Sequence, residues 1–169
     1  MKDNRVYKRQ LGMREFSFAV AVSASLTTGQ PAAAVQNQNT PQDVNVTIPI
    51  PAGGVCTFGV ELSLSGKAKT IELPGGRVIF TSPGLDATVT NSDNPTKQIT
   101  LNITGTFHDT TEQDGSVVTV VTGRNLLFDP DAGFVLSIGD FSYVFDADGN
   151  LVQPLEGRGQ LIDVCAIID

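Results

Sequence analysis

From Val55 onward the chain alternates apolar and polar residues with a period of two. Cys56, Phe58, Val60, Leu62 and Leu64 take one face, and Thr57, Gly59, Glu61, Ser63 and Ser65 take the other. That pattern predicts a half-buried strand. Pro74-Gly75-Gly76 predicts a turn, Arg77-Val78-Ile79-Phe80-Thr81 a strand, and Pro83-Gly84 a second turn. Leu85, Ala87 and Val89 form the next apolar face, which ends at Asn91-Ser92-Asp93-Asn94-Pro95. Ile99, Leu101, Ile103, Gly105 and Phe107 then alternate with Gln98, Thr100, Asn102, Thr104, Thr106 and His108, as one long strand would. After a hairpin loop at Glu112-Gln113-Asp114-Gly115, Val117 to Val121 is apolar on both faces except at Thr119, which suits a central strand.

The sharpest local expectation is a hairpin. Phe134 to Ile138 and Phe141 to Phe145 flank Gly139-Asp140, a pair suited to a two-residue primed turn. In that register Phe134, Leu136, Ile138, Phe141, Tyr143 and Phe145 share one face, and a slip by one residue scatters them. Asp148-Gly149 marks another turn, leading to Leu151-Val152, and Pro154, Gly157 and Gly159 then loosen the chain. At the tail Leu161, Ile162, Val164, Cys165, Ile167 and Ile168 recur at helical spacing, so a short terminal helix is expected there, with a strand as the alternative. Seven to nine strands with regular turn signals make an all-β fold, a small antiparallel β-barrel or β-sandwich with a short C-terminal helix.

The N-terminal third reads differently. Lys2, Arg5, Lys8, Arg9 and Arg14 precede an apolar stretch from Phe16 to Leu26, and Ala32-Ala33-Ala34 supplies small residues for cleavage. Residues 1–34 therefore read as a signal peptide, 35–53 as a Gln-, Asn- and Pro-rich flexible linker with one edge strand at Val44 to Ile48, and 54–169 as the β-domain. The expected localisation is secreted. No apolar run is long enough to span a bilayer. Residues 1–34 hold five bases and two acids, so without them the net charge of −7 becomes −10. A chain that acidic, with no basic stripe, repels phosphate backbones, and no nucleic acid partner is expected.

Cys56 and Cys165 stand at opposite ends of the domain, and in an exported chain that placement reads as one disulfide, with two buried free thiols as the alternative. Two cysteines and one histidine do not complete a closed tetrahedral metal site, so no metal and no cofactor is expected. His108, the single histidine, falls on the polar face of its strand beside Asp109 and reads as solvated. No serine lies in a Gly-x-Ser-x-Gly elbow, so no catalytic residue is assigned. Asp146-Ala147-Asp148-Gly149-Asn150 and Asp129-Pro130-Asp131 lack the calcium-loop spacing and read as turns. Asn45-Val46-Thr47 and Asn102-Ile103-Thr104 match the glycosylation acceptor pattern, but the export region has a bacterial look and neither is expected to be modified.

The candidate ligand-binding residues are Phe134, Phe141, Tyr143 and Phe145, as the lining of an apolar cavity, with Arg124 and Asn125, near a strand end, as polar groups at its mouth. An ordinary packed core is the competing reading of the same aromatic face.

The runs Gly75-Gly76-Arg77-Val78-Ile79-Phe80-Thr81-Ser82-Pro83-Gly84, Val121-Thr122-Gly123-Arg124-Asn125, Phe145-Asp146-Ala147-Asp148-Gly149-Asn150 and Gly159-Gln160-Leu161-Ile162-Asp163-Val164-Cys165 resemble small, uncharacterised exported β-proteins of actinomycetes. The resemblance implies a secreted β-domain with terminal cysteines and implies no activity. A more remote architectural similarity runs to allene oxide cyclase and dirigent barrels, whose motifs are not matched. Three functions compete: a non-enzymatic exported protein that binds a small apolar molecule or a surface partner, a cyclase- or isomerase-like barrel enzyme, and a subunit of an extracellular assembly. A hollow interior favours the first two; a solid core with a bare apolar edge favours the third.

Overall fold

In the computed structural model the described residues are 40–169, so the expectation of a signal peptide over residues 1–34 lies outside them. The alternating pattern becomes nine strands and one terminal helix: β1 (Gln42–Ile50), β2 (Val60–Leu73), β3 (Arg77–Thr81), β4 (Asp86–Asn91), β5 (Gln98–Asn102), β6 (Thr106–Thr111), β7 (Val117–Asp129), β8 (Gly133–Phe145), β9 (Leu151–Asp163) and α1 (Val164–Ile168). The strands are antiparallel, in the order β5-β4-β2-β3-β6-β7-β8-β9, with β1 beside β2. The strands at the two ends of that order, β5 and β9, do not pair with each other, so the sheet is not closed into a barrel.

Strand β2 joins two regions. Its first half, from Val60 to Ser65, pairs with both β1 and β4, and its second half, from Lys69 to Leu73, pairs with β3. The chain returns to the first region between β3 and β4 and crosses to the second again at residues 103–105. There the single long strand expected over residues 98–108 is broken into β5, which pairs with β4, and β6, which pairs with β3. Ser82 holds the break. Its Oγ donates to the Ile103 carbonyl at 2.7 Å and the Gly105 carbonyl at 3.1 Å, while its backbone N–H donates to Gly105 O. Period-two alternation survives such a crossing, and this is why the sequence pattern does not reveal it.

Two cores result. The first gathers Val60, Leu62, Leu85, Ala87, Val89, Leu101 and Ile103 against Phe134 and Leu136 of β8 and Val164 and Ile168 of α1. Each fully buried aliphatic side chain there contributes roughly 1.5–3 kcal/mol. The second gathers Val121 and Leu127 of β7 with Val135 and Phe141 of β8, and Phe107, Tyr143 and Leu155 pack at its edge.

The second core exists because β7, β8 and β9 fold back on themselves. Gly123, Gly139 and Gly159 stand in one row across the three strands, with φ of 82°, 136° and 150°. A side chain at Gly139 or Gly159 would run into the backbone of its neighbour. Three adjacent strands therefore turn at one rung that only glycine can occupy. A bond across the fold records the turn. Leu155 lies near the register partners of Ser142 and Val144, towards the Val117 end of β7, yet its N–H donates to Asp129 Oδ2 at the other end at 3.2 Å.

This row corrects the hairpin expectation. Gly139-Asp140 is not a turn but the middle of β8, a continuous strand of 13 residues. The hairpin loops lie instead at Pro130–Ala132 and Asp146–Asn150. Strand parity then splits the six side chains assigned to one face: Phe134, Leu136 and Ile138 serve the first core, Phe141 and Tyr143 the second, and Phe145 is exposed.

Other boundaries shift as well. Strand β1 covers all of Gln42–Ile50, so part of the expected linker is sheet. Residues 51–59 are irregular, and β2 begins at Val60 rather than Cys56. Strand β9 continues through Pro154, Gly157 and Gly159 as an edge strand, where a lost donor is tolerated, with register shifts opposite Ser142 and Val144. The terminal helix is present but confined to Val164–Ile168, capped by Asp163, whose Oδ1 accepts from Ala166 N at 3.1 Å.

Candidate binding groove

Cys56 and Cys165 are joined in a disulfide with a Cα–Cα distance of 5.6 Å. The bond ties the irregular segment before β2 to α1, and a groove of about 470 Å³ opens over it. Gly53, Gly54, Val55 and Phe58 form one wall, Cys165 and Ala166 the other, and Phe128 and Phe134 the base. Phe128 is 53% exposed although it sits in a strand, because its side of β7 runs out past the first core at this point. Asp163 and Asp169 also line the groove. The arrangement presents apolar surface rimmed by two carboxylates, a shape for an apolar side chain next to a cation. A second depression, of about 490 Å³, lies along β1 and the Pro83-Gly84 turn and has a mixed lining that includes Asp43, Asn45 and Lys67 beside Val44 and Pro83.

Among the candidate ligand-binding residues the structure brings only some together. Phe141 is buried in the second core and Tyr143 is half-buried at its edge, with the Phe145 ring edge-on to Tyr143 at 5.6 Å. Phe134 belongs to the other core and reaches the disulfide groove instead. Arg124 is not near a strand end. It lies within β7, opposite Ile138, and its Nε donates to the Asn102 carbonyl at 2.8 Å, bracing the end of β5. The aromatic set is therefore packing shared between two cores and a surface groove, not the lining of one cavity.

A polar rung runs across the second core's side of the sheet, with Asp109, Thr119 and Tyr143 in register. Thr119 Oγ1 donates to Asp109 Oδ1 at 2.7 Å. Burial pushes the Tyr143 hydroxyl up to about 12; the Thr119 hydroxyl beside it opposes the rise and the Asp109 carboxylate adds to it. The phenol is therefore held neutral at ordinary pH.

His108 is exposed in β6, as its position on the polar face implied. Two of the four aspartates in the calcium-like runs, Asp146 and Asp129, have their carboxylates engaged by neighbouring groups. Asp146 accepts from the N–H groups of Asp148 and Asn150 and from Asn150 Nδ2, and these bonds hold its carboxyl below the usual range. Asp129 accepts from Asp131 N, Ala132 N and Leu155 N. Among the described residues no group of three or more His, Cys, Asp or Glu side chains is placed to hold a metal ion.

Asn125, expected beside Arg124 at a cavity mouth, is instead buried within β7. Only 2% exposed, it donates from Nδ2 to Thr122 O at 3.0 Å, and its Oδ1 has no hydrogen-bond donor. That oxygen lies against Gly105, which has no room for a side chain there. The Cα–H of Gly105 is its neighbour, a weak partner that depends on residue 105 being glycine. Comparison with family models, curated proteins and solved structures found no match to this chain.

Proposed function

We propose that this chain is an exported β-domain without catalytic activity that binds a protein or peptide partner at the disulfide groove. The observation that carries the reading is the exposed Phe128 ring at the base of a groove whose walls are apolar and whose rim carries Asp163 and Asp169. Charge complementarity names the partner's chemistry: an extended segment with an aliphatic or aromatic side chain flanked by Lys or Arg. A groove of this volume lies within the range of small-molecule sites, but an open one does not enclose a ligand on most sides, so it suits a side chain presented by a larger partner.

Two further features support the reading. The buried apolar side chains gather in two separate clusters, and the bent sheet is best read as a sandwich-like arrangement, with the β1-β2-β4-β5 region laid over β8 and α1. The long edge strand β9 carries Pro154, Glu156 and Arg158, which discourage edge-to-edge assembly. Export is supported by the disulfide, a bond that persists in oxidising compartments.

Amide chemical-shift mapping with a lysine-flanked leucine peptide tests the site. Shifts should centre on Val55, Phe128 and Ala166 and vanish in Ala166→Arg. Shifts centred elsewhere, or none at millimolar peptide, sink the reading. Sequencing the N-terminus of secreted material tests export: cleavage is expected near Val35, and a product retaining Lys2 to Arg14 overturns it.

A further inference from the structure

We propose that the Cys56–Cys165 disulfide is a redox latch on this groove: a dithiol reductant opens the groove by parting its walls while leaving the sheet intact. The regulation of binding rests on the groove being the partner site; the opening itself does not.

The latch follows from what holds each wall. The first wall is the irregular segment 51–59, which has no ladder partner; its backbone bonds are two local turns, Gly53 N to Cys56 O at 2.7 Å and Gly54 N to Pro51 O at 3.0 Å, and one bond at its far end, Ser92 N to Gly59 O at 2.8 Å, while Cys56 and Phe58 reach the first core. The second wall is α1, five residues long and far below the length at which a helix sustains itself. The polar holds on this end of the chain are few: Asn91 Nδ2 to Ile168 O at 3.0 Å, the Asp163 cap, and an exposed Lys97 Nζ to Asp169 O at 3.0 Å. No backbone bond joins the two walls. They are joined by the disulfide, by a 3.4 Å contact between Cys165 Sγ and Val55 O, and by the side chains that both send into the first core, Phe58 from one and Val164 and Ile168 from the other. Every strand, by contrast, is held by ladders in which neither cysteine takes part. Cutting the bond therefore removes the one covalent tie between two segments that no backbone bond joins, and α1 is left on the burial of Val164 and Ile168 and the few polar holds at this end.

Access fits the same assignment. The groove opens on the bond, and Cys165 is the more exposed of its two ends. A reductant thiolate attacks Cys165 Sγ, and Cys56 leaves as a thiolate that takes up a proton. The second thiol of the reductant then attacks the mixed disulfide and releases Cys165 as a thiol. Two electrons and two protons pass to this chain, and the reductant leaves as its own disulfide.

The experiment reduces the folded exported protein with dithiothreitol, without denaturant, and follows amide exchange, far-ultraviolet circular dichroism and affinity for the lysine-flanked leucine peptide. The expected result is loss of protection of about tenfold or more at residues 55–58 and 164–168, with strand amides and the dichroism spectrum unchanged. Peptide affinity should fall with it and return on reoxidation, and Cys56→Ser with Cys165→Ser should reproduce the reduced state. Selective loss of protection with no peptide binding in either state supports the latch while sinking the binding site. A bond that resists dithiothreitol in the native protein, reduction that leaves both segments protected, or reduction that unfolds the whole sheet each overturns the latch.

Discussion

Phe134 and Phe141 lie on the same strand, β8, and pack into different cores. Phe134 faces β2, β4 and α1, whereas Phe141 meets Val121 and Val135 inside the fold-back of β7–β9. Each is nearly fully buried, so Phe134→Ala and Phe141→Ala should each cost about 3–5 kcal/mol. With no shared partners the two losses should add to within about 0.5 kcal/mol in the double variant. A single aromatic face would couple them strongly. Ser142→Ala, on the other side of the strand, should change stability by about 0.5 kcal/mol or less. Denaturant unfolding of the four variants, with the same m-value, checks all three statements.

The same pair shows how far the sequence was legible. Turns made by local chemistry were readable: Pro74-Gly75-Gly76, Pro83-Gly84, Glu112 to Gly115 and Asp146 to Asn150 all lie between strands in the structure. Their residues carry the reason for the turn within a few positions. The alternation around Leu85 to Val89 was readable because one face is buried along its whole length. Gly139-Asp140 was misread because a glycine with positive φ serves a hairpin and a bent strand equally well. What decides between them is that Gly123 and Gly159 stand beside Gly139, and those neighbours are brought together only by the ladder. The groove was hidden for a related reason. The cysteine pairing was readable from position, but Phe128 looks like any strand residue until the disulfide sets Val55 and Ala166 beside it. Asn125 likewise acquires its orphaned oxygen from Gly105, a residue of another strand connection.

The glycine row makes a graded set of substitutions. At Gly139 and Gly159 alanine meets both a positive φ and neighbouring backbone, so each variant should lose about 3 kcal/mol or more, beyond the usual strain of one residue, or fail to accumulate folded protein. At Gly149, in the β8–β9 turn, φ is 81° but the space is open, so Gly149→Ala should cost about 1–2 kcal/mol from backbone strain alone. Thermal unfolding ranks the three. Equal losses at Gly149 and Gly139 would show that no corner is formed at the row.

Asp146 closes its turn by accepting from Asp148, Asn150 and the Asn150 side chain, which leaves its oxygens engaged. The melting temperature should therefore be the same with and without EDTA. Asp146→Ala should lower it slightly, and equally in both conditions. Because those bonds hold the carboxyl below its ordinary 3.8, their contribution is present above that pH and fades as the pH falls below it. A drop of many degrees in EDTA would make these aspartates metal ligands and displace the turn account.

Tyr143 sets the alkaline limit of the fold. In the unfolded chain a tyrosine ionises near 10, whereas burial pushes the folded-state value to about 12, with Asp109 adding to the rise and Thr119 opposing it. Between those values the unfolded state has released a proton that the folded state keeps. Stability from the neutral phenol is therefore complete below about pH 10 and is lost as the pH climbs towards about 12. Urea midpoints should be level on the approach to pH 10 and decline above it. Tyr143 is the sole tyrosine after residue 34, so an ultraviolet titration of the chain without residues 1–34 should show a single group delayed beyond the ordinary range. Tyr143→Phe keeps the ring's packing against Phe145 and removes the ionisable group, so the alkaline decline should flatten in that variant. Thr119→Val should push the delayed titration higher still, because it takes away the one neighbour that opposes the rise while leaving Asp109 in place. A Tyr143 titration near 10 would mean that its hydroxyl is solvated and that the second core is open along the Asp109–Thr119–Tyr143 rung.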